Sequence, residues 1–250
     1  MIFIKIIIKS LLLYFFSHIM NPAIAEKNIF SSPQFENAVR QYLIENPEVI
    51  FEAIENYENR KIKKAQQIEK KLIKKFSNLL FEDANSFIGG NKTGSITLVG
   101  FIDYKCGYCK KAHIEVSELI AKNNELKYVI KEYPILGPES VLASKIAIHL
   151  LITQGDKIYE EFSDKILKYD GPLSVYSIEK IIKSIGVTAV NVQSIVDDKK
   201  IDLVIKNTQL LASELGIQGT PTYIIGDQII RGYKPKEVLQ EIINNKKQGL

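Results

Sequence analysis

The chain has 250 residues, 46% of them apolar and 25% charged, the balance of a packed globular protein with room for one good-sized domain and an appendage. That composition excludes disorder as the main state. Basic residues number 33 against 29 acidic ones, a formal charge of +4, too weak to argue for nucleic acid as a partner.

In chain order, Lys5 and Lys9 lead into an apolar run from Ile6 to Ile19, and Ala23-Ile24-Ala25 supplies a small-x-small cleavage pattern. Residues 1–25 therefore read as an export signal, with the mature chain starting at Glu26. An uncleaved anchor fits less well, because a spanning helix needs about 20 apolar residues. No cysteine stands near the cleavage point to carry a lipid. Losing Lys5 and Lys9 with the signal lowers the formal charge from +4 to +2.

From Ser32 to about Glu82 apolar residues recur at helical steps: Phe35, Val39, Leu43, then Val49, Ile50, Ile54 and Tyr57. Ser32-Pro33 is a cap followed by a first-turn proline. Asn46-Pro47 interrupts the run, so the pattern predicts a helix near 33–45 and a longer one from Pro47. The basic cluster Arg60-Lys61-Ile62-Lys63-Lys64 reads as a solvated helix face. Ala65, Leu72 and Leu79 then recur every seven residues, with Ile62, Ile68 and Phe76 beside them. This stripe either lies on the main domain or pairs with copies of itself as a coiled coil.

Asn85 to Ser95, with Gly89-Gly90 and Gly94, reads as a loop or hairpin boundary. Ile96 to Ile102 is a buried strand, Ala112 to Lys122 a helix, and Leu126 to Tyr133 a second strand closed by Pro134. Helical segments fill 139–215, broken at Gly155, Gly171-Pro172 and Gly186. Tyr223-Ile224-Ile225 and Gln228-Ile229-Ile230 flank Gly226-Asp227, a hairpin, and a last amphipathic helix starts at Pro235.

Both cysteines outlast export, three positions apart in Cys106-Gly107-Tyr108-Cys109. Exported proteins usually place cysteines to close long loops. A bridge here closes almost none, so its value is chemical. A strand that delivers the first sulfur to the start of a helix sets it over unpaired N–H groups and the positive end of the helix dipole. Bringing a thiol from a pKa of about 8.5 to about 5.5 requires about 4 kcal/mol of preference for the charged form. The dipole supplies at most about 2 kcal/mol, leaving N–H···S hydrogen bonds to add much of the rest and Lys105 a little. Cys109, one turn deeper, is then the resolving thiol for a mixed disulfide on Cys106. Gly107 and Tyr108 tune the balance of the pair, since about 30 mV corresponds to about 1.4 kcal/mol.

Cys-x-x-Cys also occurs at metal sites. A tetrahedral zinc centre needs further Cys or His ligands, and no second pair exists. His113, four residues past Cys109, keeps open a soft-metal site for copper, built from Cys106, Cys109 and His113; read otherwise, it is an exposed helix residue. Lys110 in place of a histidine after the second cysteine argues against covalent haem.

Three segments together resemble the DsbA-like branch of the thioredoxin superfamily, including periplasmic disulfide isomerases and copper-sensitivity suppressor proteins. They are Phe101 to Lys110 around the cysteines, Lys131-Glu132-Tyr133-Pro134-Ile135-Leu136-Gly137, and Gly216-Ile217-Gln218-Gly219-Thr220-Pro221-Thr222. The resemblance implies an α/β thioredoxin fold with a helical insertion at about 139–215 and an N-terminal helical extension. It divides the chain into a signal (1–25), an extension (26–85) that is a candidate oligomerisation stalk through 33–82, and a catalytic domain (86–250). It further implies an oxidoreductase of the periplasm that forms, reduces or isomerises disulfide bonds. Its partners would be cysteine-containing proteins and a redox protein of the membrane or periplasm, with no cofactor.

In this family the proline matching Pro221 is cis and packs against the disulfide, and the backbone of the residue matching Thr220 pairs with a substrate strand by β-augmentation. Gly-Tyr between the cysteines and Thr before the proline are closer to the isomerase type. Lys131 matches a family lysine that modulates the site. Gly100 stands where relatives often carry a buried glutamate, a proton acceptor for the resolving cysteine, so Lys131 would lack that partner. Ile114 replaces the proline that kinks the active-site helix of thioredoxins.

Overall fold

The computed structural model describes residues 32–188 and 190–248. The export signal expected at 1–25 lies outside the described residues. Among those described, no helix is long and apolar enough to cross a membrane. The chain divides into two units, Met1–Lys61 and Ile62–Leu250.

In the first unit, α1 (Pro33–Glu45) starts as its sequence predicts. Ser32 caps it, Oγ accepting from the Phe35 N–H at 3.2 Å, and Pro33 occupies the first turn. Asn46-Pro47 breaks the run, and α2 (Glu48–Lys75) follows. No residue of α1 is buried. Tyr42, Ile44, Phe51, Ile54 and Tyr57 all stand more than half exposed.

The second unit takes up the end of the heptad stripe. Ile62, Ile68 and Leu79 are exposed, whereas Ile73 in the last turn of α2 and Leu80 in α3 (Ser77–Phe81) are buried with Val99, Phe101 and Val129. The end of the stripe therefore lies on the main domain, where Leu72 and Phe76 pack half-buried against the same cluster. Burying Leu80 alone contributes about 1.5–3 kcal/mol.

A five-stranded sheet forms the frame, in the order β1-β3-β2-β4-β5. β2 (Ile96–Ile102) runs parallel to β3 (Leu126–Glu132), connected through α4 (Gly107–Lys122). The hairpin of β4 (Thr222–Ile225) and β5 (Gln228–Arg231) adds antiparallel on the other side of β2. The segment expected as a loop at 85–95 instead holds β1 (Phe87–Gly90), antiparallel to β3. Its paired glycines hid it, yet one has a strand-specific cause: a Cβ on Gly90 would lie 2.5 Å from the Leu126 carbonyl oxygen.

Strand periodicity sorts the residues between two faces. Leu98, Ile102, Tyr128 and Ile130 face the cluster that contains Cys106, Cys109 and α4; Val99, Phe101 and Val129 face α3 and α9 (Lys199–Glu214). Between β3 and β4 come α5 (Pro138–Gln154), α6 (Asp156–Leu167), α7 (Val175–Ser184), α8 (Val192–Val196) and α9, with α5 buried along most of its length and packed on α6 and α8. α10 (Lys236–Lys247) closes the chain against β2 and α4. This is a thioredoxin fold with a helical insertion between the βαβ half and the terminal hairpin.

Candidate active site

β2 ends at Ile102, and four residues turn the chain into α4. Cys106 is the N-terminal cap of that helix, with extended backbone (φ −73°, ψ 113°). The turn is held by Asp103, which is fully buried. One of its carboxylate oxygens accepts from the Lys105 N–H (2.8 Å) and the Ser140 hydroxyl (2.7 Å), the other from the N–H groups of Ile135 (2.8 Å) and Leu136 (2.9 Å). One side chain thus joins the cysteine turn, the loop after β3 and the start of α5. Its Asp-x-Lys spacing is an Asx-turn signature, the signal that could have singled it out from sequence.

Cys106 and Cys109 stand as free thiols, both buried. The Cys106 thiol is pulled down to about 6, first by the hydrogen bond that the Cys109 thiol donates to it. The Thr220 hydroxyl and the N–H groups of Cys109 and Tyr108 act in the same sense, against burial. The partner thiol is the largest of these influences, and the backbone N–H groups expected from the helix start assist it. Cys109 is pushed well above an ordinary thiol by the same bond and by burial, so the pair divides into one thiolate and one held proton.

Thr220 and Pro221 meet the cysteines from the loop before β4. Their peptide bond is cis, and the Cys106 thiol donates to the Thr220 carbonyl oxygen at 3.2 Å. Thr220 therefore acts in two senses, its carbonyl favouring the thiol and its hydroxyl the thiolate.

The remaining expected residues fall as follows. Gly107 faces open space, since an added Cβ would meet nothing within 4 Å beyond its chain neighbours. Tyr108 is exposed and stacks on Tyr233, centroids 6.1 Å apart. Lys105 pairs with Glu139 at 2.8 Å. Lys131 is a correction. The two-residue strand period turns it to the sheet face opposite Cys109, beside Val129 and Phe101. It has a partner there, Asp83 at 2.7 Å, with the Ser86 hydroxyl at 2.9 Å. His113 does not join the sulfurs as a ligand; its Nε2 lies 2.9 Å from Asp164 Oδ1. Among the described residues no group of three or more His, Cys, Asp or Glu side chains is placed to hold a metal ion.

One acidic residue was missed. Glu132, buried at the end of β3 on the cysteine face, accepts from the hydroxyls of Tyr104 (2.7 Å), Tyr159 (2.6 Å) and Ser144 (2.7 Å). Burial raises it to about 7 in spite of those bonds. A charge inside an apolar strand was the available signal. At Gly100 an added Cβ would sit 2.8 Å from the Tyr128 hydroxyl, so that phenol fills the space a glutamate would need.

Comparison with known proteins agrees with this geometry. The family model described as Thioredoxin matches residues 82–245, and that described as Copper resistance protein ScsC N-terminal domain matches residues 34–64. None of the curated protein sequences compared with the chain matches it. A solved linker-deletion mutant of ScsC from Proteus mirabilis is 25% identical over 87% of this chain and 95% of its own, with a TM-score of 0.69. The thiol-disulfide exchange protein alpha-DsbA2 from Wolbachia pipientis is 32% identical over 72% of this chain and 96% of its own (TM-score 0.67). A periplasmic thioredoxin-like protein from Salmonella enterica serovar Typhimurium is 30% identical over 68% and 95% (TM-score 0.64). The chain belongs to the thioredoxin family, in its DsbA-like, ScsC-type branch of thiol–disulfide oxidoreductases.

Proposed function

We propose that this protein is exported to the periplasm and forms, reduces or isomerises disulfide bonds in other proteins through a mixed disulfide on Cys106. The observation that carries the reading is the pairing of a thiol lowered to about 6 with a partner that keeps its proton. At neutral pH Cys106 attacks a substrate disulfide as thiolate, and its S–S bond to one substrate sulfur forms as the other sulfur leaves with the electron pair. Cys109 then attacks Cys106, releasing the substrate and closing the Cys106–Cys109 disulfide. Thr220, beside Cys106, is the backbone on which an extended substrate segment would pair.

The experiment is a covalent trap. The Cys109→Ala variant, incubated with periplasmic extract, should accumulate protein adducts on Cys106 that reductant dissolves. Absence of adducts with Cys106 present as thiolate would remove the reading. Redox partners in the membrane or periplasm would appear among the same adducts.

Self-association through the N-terminal helices is a second part of the proposal. It rests on the exposed apolar residues of α1 and the first half of α2. The segment 33–82 expected from sequence is narrowed, because Ile73 and Leu80 serve the catalytic domain.

A further inference from the structure

Resolution of the mixed disulfide requires Cys109 to lose its proton. In that intermediate the Cys106 sulfur carries no charge, so burial is what still holds the proton on. The glutamate position offers no base here: Gly100 has no side chain, and Tyr128 fills the space. The surroundings of Cys109 supply another route. A cavity of about 10 Å³, room for one water molecule, is lined by Cys109, His113, Tyr128 and Tyr223. A cleft of about 190 Å³ adjoins it, and His113, Val116, Tyr128 and Ile130 line both spaces. His113 thus borders both the space beside the buried sulfur and the cleft. Its Nε2 lies at 2.9 Å from Asp164 Oδ1, the arrangement in which a carboxylate fixes one ring nitrogen as donor and leaves the other free to accept.

We propose that His113, oriented by Asp164, is the proton acceptor for the resolving thiol, taking the Cys109 proton through one water in the small cavity. This rests on the mixed-disulfide reading above. The Cys109 S–H proton passes to the water as the water gives one to the imidazole. The Cys109 thiolate attacks Cys106, the Cys106–Cys109 bond forms, and the Cys106–substrate bond breaks, its electron pair leaving as substrate thiolate. The protein dithiol is oxidised and the substrate disulfide reduced. The imidazolium then returns its proton to the leaving thiolate or to solvent through the cleft. Tyr128 and Tyr223 cannot replace the histidine as base, because burial keeps their protons on; they are hydrogen-bond partners for the water. The other titratable groups facing the ring are Asp164, itself paired with Lys168, and Glu160 at the cleft.

Ellman's reagent separates the two steps in the full-length mature protein, since the first thionitrobenzoate released reports Cys106 attack and the second reports resolution by Cys109. His113→Gln should leave the first phase unchanged and slow the second about 10²-fold at neutral pH, the scale of general-base catalysis. The slowed phase should rise with hydroxide. Added imidazole should restore it in His113→Ala. Asp164→Asn, a change at a half-exposed position, should slow the second phase several-fold. An unchanged second phase in any of these variants, or equal slowing of both phases, overturns the proposal. Failure of the first phase in Cys109→Ala would instead overturn the mixed-disulfide reading itself.

Discussion

Cys106 is a poised thiolate because several weak donors converge on one sulfur, and each is separable by substitution. The Thr220 hydroxyl is one of them. A hydrogen bond to a charged group contributes about 1.5 kcal/mol, about one pKa unit, so Thr220→Val should raise the Cys106 value by about that much, read from the pH dependence of alkylation. The sign of the linkage follows from the direction of the shift. A thiol whose folded value is about 6 stabilises the reduced protein above the unfolded value of about 8.5. That stabilisation is lost as pH falls through 6. Glu132 works in the opposite sense: raised from 4.5 to about 7, it stabilises the fold below 4.5 and loses that contribution as pH rises through 7. Glu132→Gln should therefore flatten the decline of Tm across that interval; a decline as steep as in the wild type would show that the carboxyl does not titrate there.

Asp103 sets the level of the elements. Four hydrogen bonds to one buried carboxylate tie the turn before α4 to the loop before α5. Asp103→Ala leaves three backbone N–H groups and one hydroxyl without an acceptor, each costing about 1–3 kcal/mol if it stays buried. Thermal unfolding should shift sharply downward, with loss of Cys106 reactivity in parallel. This tie also marks where sequence reading stops. The order of β2, α4, β3, the hairpin and α10 was legible because local periods and breakers act over a few residues. The meeting of Cys106 with Thr220, 114 residues apart, was legible only through the family resemblance. β1 was not legible, because Gly89-Gly90 carry no strand propensity and the strand exists by pairing with β3. Lys131 was assigned to the site from its place in a motif, but the strand period turns it to the other face. The role of Glu132 depends on hydroxyls from Tyr104, Ser144 and Tyr159, positions that only the folded chain brings together.

For the molecule as a whole, residues ahead of the expected boundary at 86 pack on the sheet of the catalytic domain. Ile73 and Leu80 cover the sheet face opposite the cysteines, so truncation at residue 61 and truncation at residue 82 should behave differently. Without residues 26–61 the protein should keep its redox chemistry and sediment as a monomer, while the full mature chain sediments as an oligomer. Removing residues 26–82 uncovers Val99, Phe101 and Val129 and should give an unstable, aggregating product. A monomeric full-length chain would contradict the self-association proposal without touching the chemistry. The chemistry itself, one thiolate and one held proton in a Cys-x-x-Cys at a helix start, is tested most directly by alkylating the reduced protein across pH and locating the label by mass spectrometry. Modification of Cys106 should rise with a midpoint near 6 while Cys109 stays unlabelled. Equal labelling of both cysteines with a midpoint near the ordinary thiol value of about 8.5 would contradict it.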